Sequence, residues 1–409
     1  MEYIFRHMEN RILELSSSFS AILLTGPRQA GKTTMLSKLA EKENVGRKYV
    51  TLDDFTMRDM AKNDPALFLQ LHSPPVLIDE IQYAPELFTY IKIHIDKHQN
   101  PGDFWMTGSQ IFSLMRGVGE TLAGRVALLH MSPLSQREIM GNPPLPFMVN
   151  FDSLLEESKN IKSVTVPEMY EGIWKGSMPG LVSGQYLDRD IYYSSYISTY
   201  IQRDVRDISG MVDSLKFNRF ITAVAARTSQ LLNYNGLAQD ADIDIQTSKD
   251  WINILETLGI IFLLHPYSAN VLKRTIKTPK VYFYDTGLVC YLTKWSSPEV
   301  ALNGAMSGAL LENFVVSEIM KSYQNAGLEP YLYFYRDRDS KEIDIIMERD
   351  GKLHPLEIKK AVKPDRRLVS NFGVIKKPPL VIGTSAVLCM AEQFSAFDKD
   401  NLIIPIWMI

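Results

Sequence analysis

Short apolar runs alternate with longer amphipathic stretches through the first third of the chain. Ala21–Thr25, Lys48–Leu52, Pro75–Ile78, Asp103–Thr107 and Val126–Met131 are the runs, and the spacing between them is helical. The pattern predicts buried strands in a parallel α/β sheet over about residues 12–140. Gly141-Asn142-Pro143-Pro144-Leu145-Pro146 continues neither a helix nor a central strand, so it marks a boundary. The polar stretch to about Thr165 reads as an insertion or linker.

The rhythm then changes. From about Tyr170 to Gly210 the chain reads as helical after the turn Gly176–Gly180. Tyr192, Tyr193, Tyr196 and Tyr200 share one helical face there, which suits core packing, with base stacking as the alternative. A helix over about Leu215–Leu232, a short helix near Asn235–Ala238 and a third with Trp251, Ile254, Leu255 and Leu258 on one face are followed by strands Ile260–Leu264 and Lys280–Tyr284. That order is the outline of a winged helix. A long helix over Ala305–Asn325 and strands at Tyr331–Tyr335, Glu342–Met347, Leu353–Lys359 and Leu380–Gly383 predict a further small α/β domain.

Candidate chemistry sharpens the picture at the first strand. Gly26-Pro27-Arg28-Gln29-Ala30-Gly31-Lys32-Thr33 follows the apolar run and precedes a helix-favouring one, the context of a phosphate-binding loop. The two glycines let backbone N–H groups turn in around a polyanion, and the helix N-terminus adds its dipole. Lys32 supplies charge for the β- and γ-phosphates, and the hydroxyl of Thr33, beside Thr34, is placed for Mg2+. The strand Val76–Ile78 runs into Asp79 and Glu80, where Asp79 would orient the cation and Glu80 polarise the attacking water. Thr107 and Ser109, after the next strand, are candidates to sense the γ-phosphate or hold that water, with a plain turn as the alternative. Arg125 is a candidate for stabilising charge on the transferring phosphoryl, in cis or from a neighbouring subunit, and Arg116 is its rival.

A second constellation lies near the C-terminus. Asp344 is in one strand, Glu357 and Lys359 share a face of the next, and Glu312 is in the helix before them. Such a set can hold Mg2+ through Asp344 and Glu357 and activate water at a scissile phosphate, giving a nuclease-like reading; ordinary salt bridges on a strand edge are the alternative. Lys273, Arg274, Lys277 and Lys280 in the presumed wing, and Lys359, Lys360, Lys363, Arg366, Arg367, Lys376 and Lys377 further on, are local basic segments suited to DNA.

Composition sets outer limits. The 409 residues suit two to four domains, and 45% hydrophobic residues are enough for their cores. A net charge of -3 gives no global pull toward nucleic acid or membrane. Two cysteines, Cys290 and Cys389, exclude a disulfide framework and suit a reducing compartment. With no signal-peptide layout and no long uncharged apolar run, a soluble cytoplasmic protein is expected.

Together these residues resemble a large prokaryotic family of AAA-type ATP-binding proteins that join a P-loop ATPase domain to a C-terminal domain of unknown function. The likeness rests on Leu24–Thr33, Leu77–Gln82, Thr107–Ser109, Leu122–Arg125, Tyr200–Val205, Tyr282–Leu288, Gly308–Val315 and the Glu342–Asp344 and Glu357–Lys359 pair. The last three look like the PD-(D/E)xK, restriction-endonuclease-like fold. The resemblance implies ATP rather than GTP, and gives Arg125 added weight. The expected division is a P-loop ATPase domain over 1–140, a linker and helical region over 141–210, a winged-helix-like domain over 211–290 and a nuclease-like α/β domain over 300–409. The expected function is Mg2+-dependent ATP hydrolysis coupled to a region that binds DNA or a partner. The alternatives are an ATP-regulated nuclease and a non-catalytic DNA-binding or regulatory protein switched by ATP, with oligomerisation left open.

Overall fold

The computed structural model describes residues 3–43, 45–109, 122–210, 213–268, 277–337, 339, 341–375 and 381–409. Its N-terminal part is a five-stranded sheet of β1 (Ala21–Thr25), β2 (Lys48–Thr51), β3 (Val76–Asp79), β4 (Phe104–Thr107) and β5 (Val126–His130), in the order β2-β3-β4-β1-β5. Every pairing is parallel. Period two sends alternate residues to opposite faces. Leu23, Ile78, Phe104 and Met106 join Phe88 and Ile91 on one side. Ile22, Leu24, Leu77 and Trp105 join Met35, Leu36 and Leu39 on the other. Burial on both faces is why these strands read as continuous apolar runs rather than alternating ones.

The stretch read as an insertion or linker contains the helix Phe151–Asn160, and its Leu154 is buried in the largest apolar cluster. Beyond it, Tyr192, Tyr193 and Tyr196 are buried in that same cluster and Tyr200 packs against it, so this face is core. The helix carrying them has a π-helical segment over Tyr196–Ile201 between α-helical segments Arg189–Ser195 and Gln202–Ser209.

Three helices, Ser214–Ala226, Tyr234–Ala241 and Ile245–Thr257, precede the antiparallel pair β6 (Ile261–Leu264) and β7 (Lys280–Phe283). The first helix stops at Ala226, short of the expected Leu232. Beyond it the chain turns to pair with the β7 strand, where Ser229 N–H donates to Val281 C=O and Leu232 N–H to Pro279 C=O. Lys273 and Arg274 lie outside the described residues.

The C-terminal sheet has seven strands. β8 (Leu332–Arg336), β9 (Glu342–Arg349) and β10 (Lys352–Lys359) are antiparallel neighbours. β10 then runs parallel to β12 (Ser385–Cys389), and β12 to β14 (Asn401–Pro405). β11 (Val381–Ile382) pairs with β10 and β13 (Ser395–Asp398) with β14. The helix Ser307–Asn325 begins two residues after the expected Ala305. It joins all the parts. Asn313 exchanges two hydrogen bonds of 2.8 Å with the backbone of Phe283. Glu318 accepts from Gln136 N–H at 2.6 Å, and the buried Lys321 donates to Leu134 C=O at 3.0 Å and Ser177 Oγ at 3.2 Å. Cys290 and Cys389 are both buried and unpaired. Among the described residues no helix is long and apolar enough to cross a membrane.

Candidate functional site

β1 ends at Thr25 and the next helix begins at Lys32, so the intervening six residues must reverse direction around open space. Gly26 has φ +136°, and a Cβ there would lie 2.1 Å from the carbonyl oxygen of Met131. Gly31, at φ +94°, is the helix N-cap. Both positions therefore exclude ordinary side chains. The first amides of the Lys32–Lys42 helix lack intrahelical partners, and no side chain caps them. Arg6, buried, braces the loop from behind: it donates to Ala30 C=O at 2.7 Å, Ser132 C=O at 2.8 Å and Glu138 at 2.9 Å. Sequence reading had no signal for this arginine. Beside Gln29, Gly31 and Thr34 opens a cavity of about 470 Å3, whose far walls include Tyr3, Pro179 and Tyr186.

Lys32 is buried and folds back, its Nζ 2.9 Å from both the Gly26 and Pro27 carbonyl oxygens. Burial pushes its ammonium down to about 8, against the pull of Glu80 and Asp79. A polyanion binding here needs the charged form. Affinity for a nucleoside triphosphate at this loop is therefore expected to hold level up to about pH 7 and fall by up to about tenfold per unit above pH 8, as titration calorimetry would show. The effect of Lys32 on stability has the opposite sign. Its folded value lies below the ordinary 10.5, so the folded chain holds fewer protons between about 8 and 10.5, and this group's contribution to stability rises with pH across that window.

Asp79, at the end of β3, gathers hydroxyls. Thr33 Oγ1 and Thr107 Oγ1 donate to its Oδ1 at 2.6 and 2.5 Å, and Tyr49 and Thr51 approach Oδ2 at 3.3 and 3.4 Å. Glu80 has φ +57°, in the left-handed region, and its N–H donates to Thr107 Oγ1 at 3.1 Å. Ser109 Oγ lies 3.2 Å from the Glu80 carboxylate, and Gln82 Nε2 hydrogen-bonds the same oxygen. Parallel pairing of β3 with β4 places Thr107 and Ser109 beside the two acids. Tyr49, Thr51 and Gln82 are partners that sequence reading did not single out.

Arg28 leaves the loop in the other direction. Its guanidinium makes two bonds to Asp204, at 2.8 and 3.0 Å, and lies 3.4 Å from Tyr83 Oη. Asp204 stands in the Tyr200–Val205 motif, whose contact with the loop the sequence did not reveal. Of the two placements expected for Arg125, in cis or from a neighbouring subunit, the geometry bears on the first. It precedes β5, and β5 runs parallel beside β1, so it lies at the opposite end of the strands from the loop, about 15 Å away by strand rise. There it pairs with Asp96 at 2.5 Å. Arg125 does not serve this chain's own loop. Arg116 lies outside the described residues.

The C-terminal acids do come together. Pairing of β9 with β10 brings Asp344 to Glu357 and Lys359. Lys359 Nζ is 2.7 Å from Glu357 and 3.9 Å from Asp344, and Asp344 Oδ2 also accepts from Ile358 N–H at 2.8 Å. Glu357 Oε2 is buried with no hydrogen-bond partner. Burial, reinforced by Asp344, pushes the Glu357 carboxyl up to about 7, and burial also raises Asp344 and Glu312. Glu312 borders these acids, its carboxyl raised by burial and by Asp344, and accepts from Lys280 Nζ at 2.9 Å and Tyr282 Oη at 2.7 Å. Among the described residues no group of three or more His, Cys, Asp or Glu is arranged to hold a metal ion. The expectation for Lys280 is overturned. It is 3% exposed and ion-paired to Glu312 and Glu342, so it serves as an internal counter-charge and not as a surface contact for nucleic acid. Lys376 and Lys377 lie outside the described residues.

Three family models match successive stretches of the chain: an AAA domain over residues 18–140, a domain of unknown function (DUF8612) over 167–299 and a second one (DUF4143) over 307–409. Uncharacterised proteins of Mycobacterium tuberculosis and Mycobacterium bovis are each 28% identical over 347 residues, covering 84% of this chain and 71% of theirs. Among solved structures, a Walker-type ATPase of Pyrococcus abyssi is similar at a TM-score of 0.43 and 13% identity, over 70% of this chain and 94% of that one. The AAA match begins just before β1 and ends after β5, so it takes in the whole parallel sheet and the loop, acids and hydroxyls at the C-terminal ends of its strands.

Proposed function

We propose that the chain binds ATP at the Gly26–Thr33 loop, hydrolyses it with Mg2+, and passes the state of that site to the helical and C-terminal regions. The observation that carries this is the convergence of Lys32, Thr33, Asp79, Glu80 and Thr107 at one end of the sheet. The hydroxyl of Thr33 and the carboxylate of Asp79, 2.6 Å apart, are hard oxygen donors that fit Mg2+. When bound, that cation neutralises charge on the phosphate oxygens. Lys32 exchanges its two backbone carbonyls for the β- and γ-phosphates, and the helix amides complete the cradle. Glu80, steadied by Ser109 and Gln82, orients water for in-line attack. The cavity beside Thr34 takes the nucleoside, with Tyr3 and Tyr186 as its aromatic walls. Arg125 acts on this site only from a neighbouring copy. The test is titration with a fluorescent ATP analogue. The wild-type chain binds, and Lys32→Ala weakens binding at least about tenfold; equal binding by both would refute the reading.

A second reading, an ATP-regulated nuclease, is favoured by the orphaned Glu357 Oε2 beside Asp344 and Lys359. The helix followed by three antiparallel strands and a parallel fourth also suits a restriction-endonuclease-like fold. Plasmid nicking in Mn2+ that Asp344→Ala abolishes would establish it. Without nicking, the three helices and the β6–β7 pair, read as a winged helix, leave a domain that recognises DNA or a partner.

A further inference from the structure

Arg28 is anchored in a way that phosphate cradling does not require. Three residues of one helix meet it. Asp204, in the Gln202–Ser209 segment, takes both arms of the guanidinium at 2.8 and 3.0 Å. Tyr200 presents its ring 5.8 Å from the guanidinium carbon, and the Tyr196 hydroxyl donates to the Arg28 carbonyl at 3.4 Å. Tyr196 and Tyr200 belong to the π-helical segment, a geometry that clusters at functional positions. On its other side the guanidinium reaches Tyr83, in the turn Ile81–Tyr83 that directly follows Glu80. Arg28 thus stands between the turn that follows Glu80 and the helical region.

The ion pair is nearly dry, with the side chains of Arg28 and Asp204 only 12% and 4% exposed. Dry pairs contribute little net stability, because desolvation offsets attraction, so their worth lies more in specifying an arrangement. A guanidinium fork fits a phosphate as well as a carboxylate. We propose that Arg28 is a γ-phosphate contact held in reserve by Asp204, so that the triphosphate and the Gln202–Ser209 helix compete for one guanidinium. With a diphosphate in the loop, Arg28 stays on Asp204. With a triphosphate, it turns to the terminal phosphoryl and releases the helix. The helical region thereby reads which nucleotide is present. This inference rests on the nucleotide reading of the loop.

The discriminating quantity is the preference for a triphosphate over a diphosphate. It is measured as the ratio of Kd for ADP to Kd for the β,γ-imido analogue of ATP, with Mg2+, on the full chain. Arg28→Gln is expected to lower that ratio about tenfold, by weakening the triphosphate analogue far more than ADP. Asp204→Asn is expected to raise it severalfold, because the fork is released. Should Asp204→Asn not fold, the double variant Arg28→Gln/Asp204→Asn, which removes both charges of the Arg28–Asp204 pair, should reproduce the ratio of Arg28→Gln alone. A ratio that stays at the wild-type value in Arg28→Gln and in the double variant, with ADP still bound, would overturn this proposal and leave the nucleotide reading standing. A wild-type chain that binds neither nucleotide would overturn both.

Discussion

Glu80→Gln is expected to lower ATP turnover by about two to four orders of magnitude while leaving nucleotide affinity within a few-fold of wild type. The carboxylate follows β3 directly, and its backbone is fixed in the left-handed region by the bond from its N–H to Thr107. Replacing one carboxylate oxygen by an amide keeps size and shape. The remaining oxygen still accepts from Ser109 and Gln82. What disappears is the negative charge that, on the proposed reading, polarises water, a term felt in the transition state and hardly in ground-state binding. Steady-state phosphate release and an independent binding titration separate the two. Unchanged turnover would show that another group does this work. A loss confined to affinity would place Glu80 in binding instead.

The second large effect concerns stability. Lys280→Met is expected to cost about 3–5 kcal/mol, because it removes the cation from a cluster holding Glu312 and Glu342, with Asp344 close by. Methionine fills similar volume, so the loss is electrostatic more than a matter of packing. The sign with pH follows from the acids. Burial already holds the Glu312 and Asp344 carboxyls above their usual range, so the folded chain retains protons that the unfolded chain has shed. Loss of Lys280 widens that gap, and the variant's deficit should shrink in mild acid and grow toward neutrality. Denaturant melts at pH 5 and pH 8 give the comparison. Adding Glu312→Gln to Lys280→Met should recover part of the loss. An equal deficit at both pH values would mean that lost packing dominates.

The parallel sheet was legible because each of its strands is buried on both faces and so appears as an unbroken apolar run flanked by helix-length gaps. The loop was legible because glycines at fixed spacing leave few other uses for such a turn. What escaped notice was long-range. Nothing local in Arg28 or Asp204 announces that residues 176 positions apart form a pair. Arg6 gives no local sign either, since it works by bracing three carbonyl or carboxylate oxygens drawn from distant segments. Lys280 was misjudged, and the position of Arg125 away from its own chain's loop was not foreseen, for a related reason. A basic residue beside a strand looks much the same in sequence whichever end of the sheet it reaches, and whether the strand is exposed or covered by a helix such as Ser307–Asn325. The hydroxyl ring around Asp79 was half visible, with Thr33 and Thr107 in motifs but Tyr49 and Thr51 supplied by a neighbouring strand.

The helix Ser307–Asn325 bonds to the segment just after the AAA-type sheet, to the turn at Ser177 and to β7. Three family models divide the chain along its length, yet this one helix is common property of all three stretches. Its residues must satisfy three neighbours at once. A C-terminal portion grafted from a distant relative is therefore expected to bring a helix shaped to other surfaces, and to dock poorly on the two stretches before it.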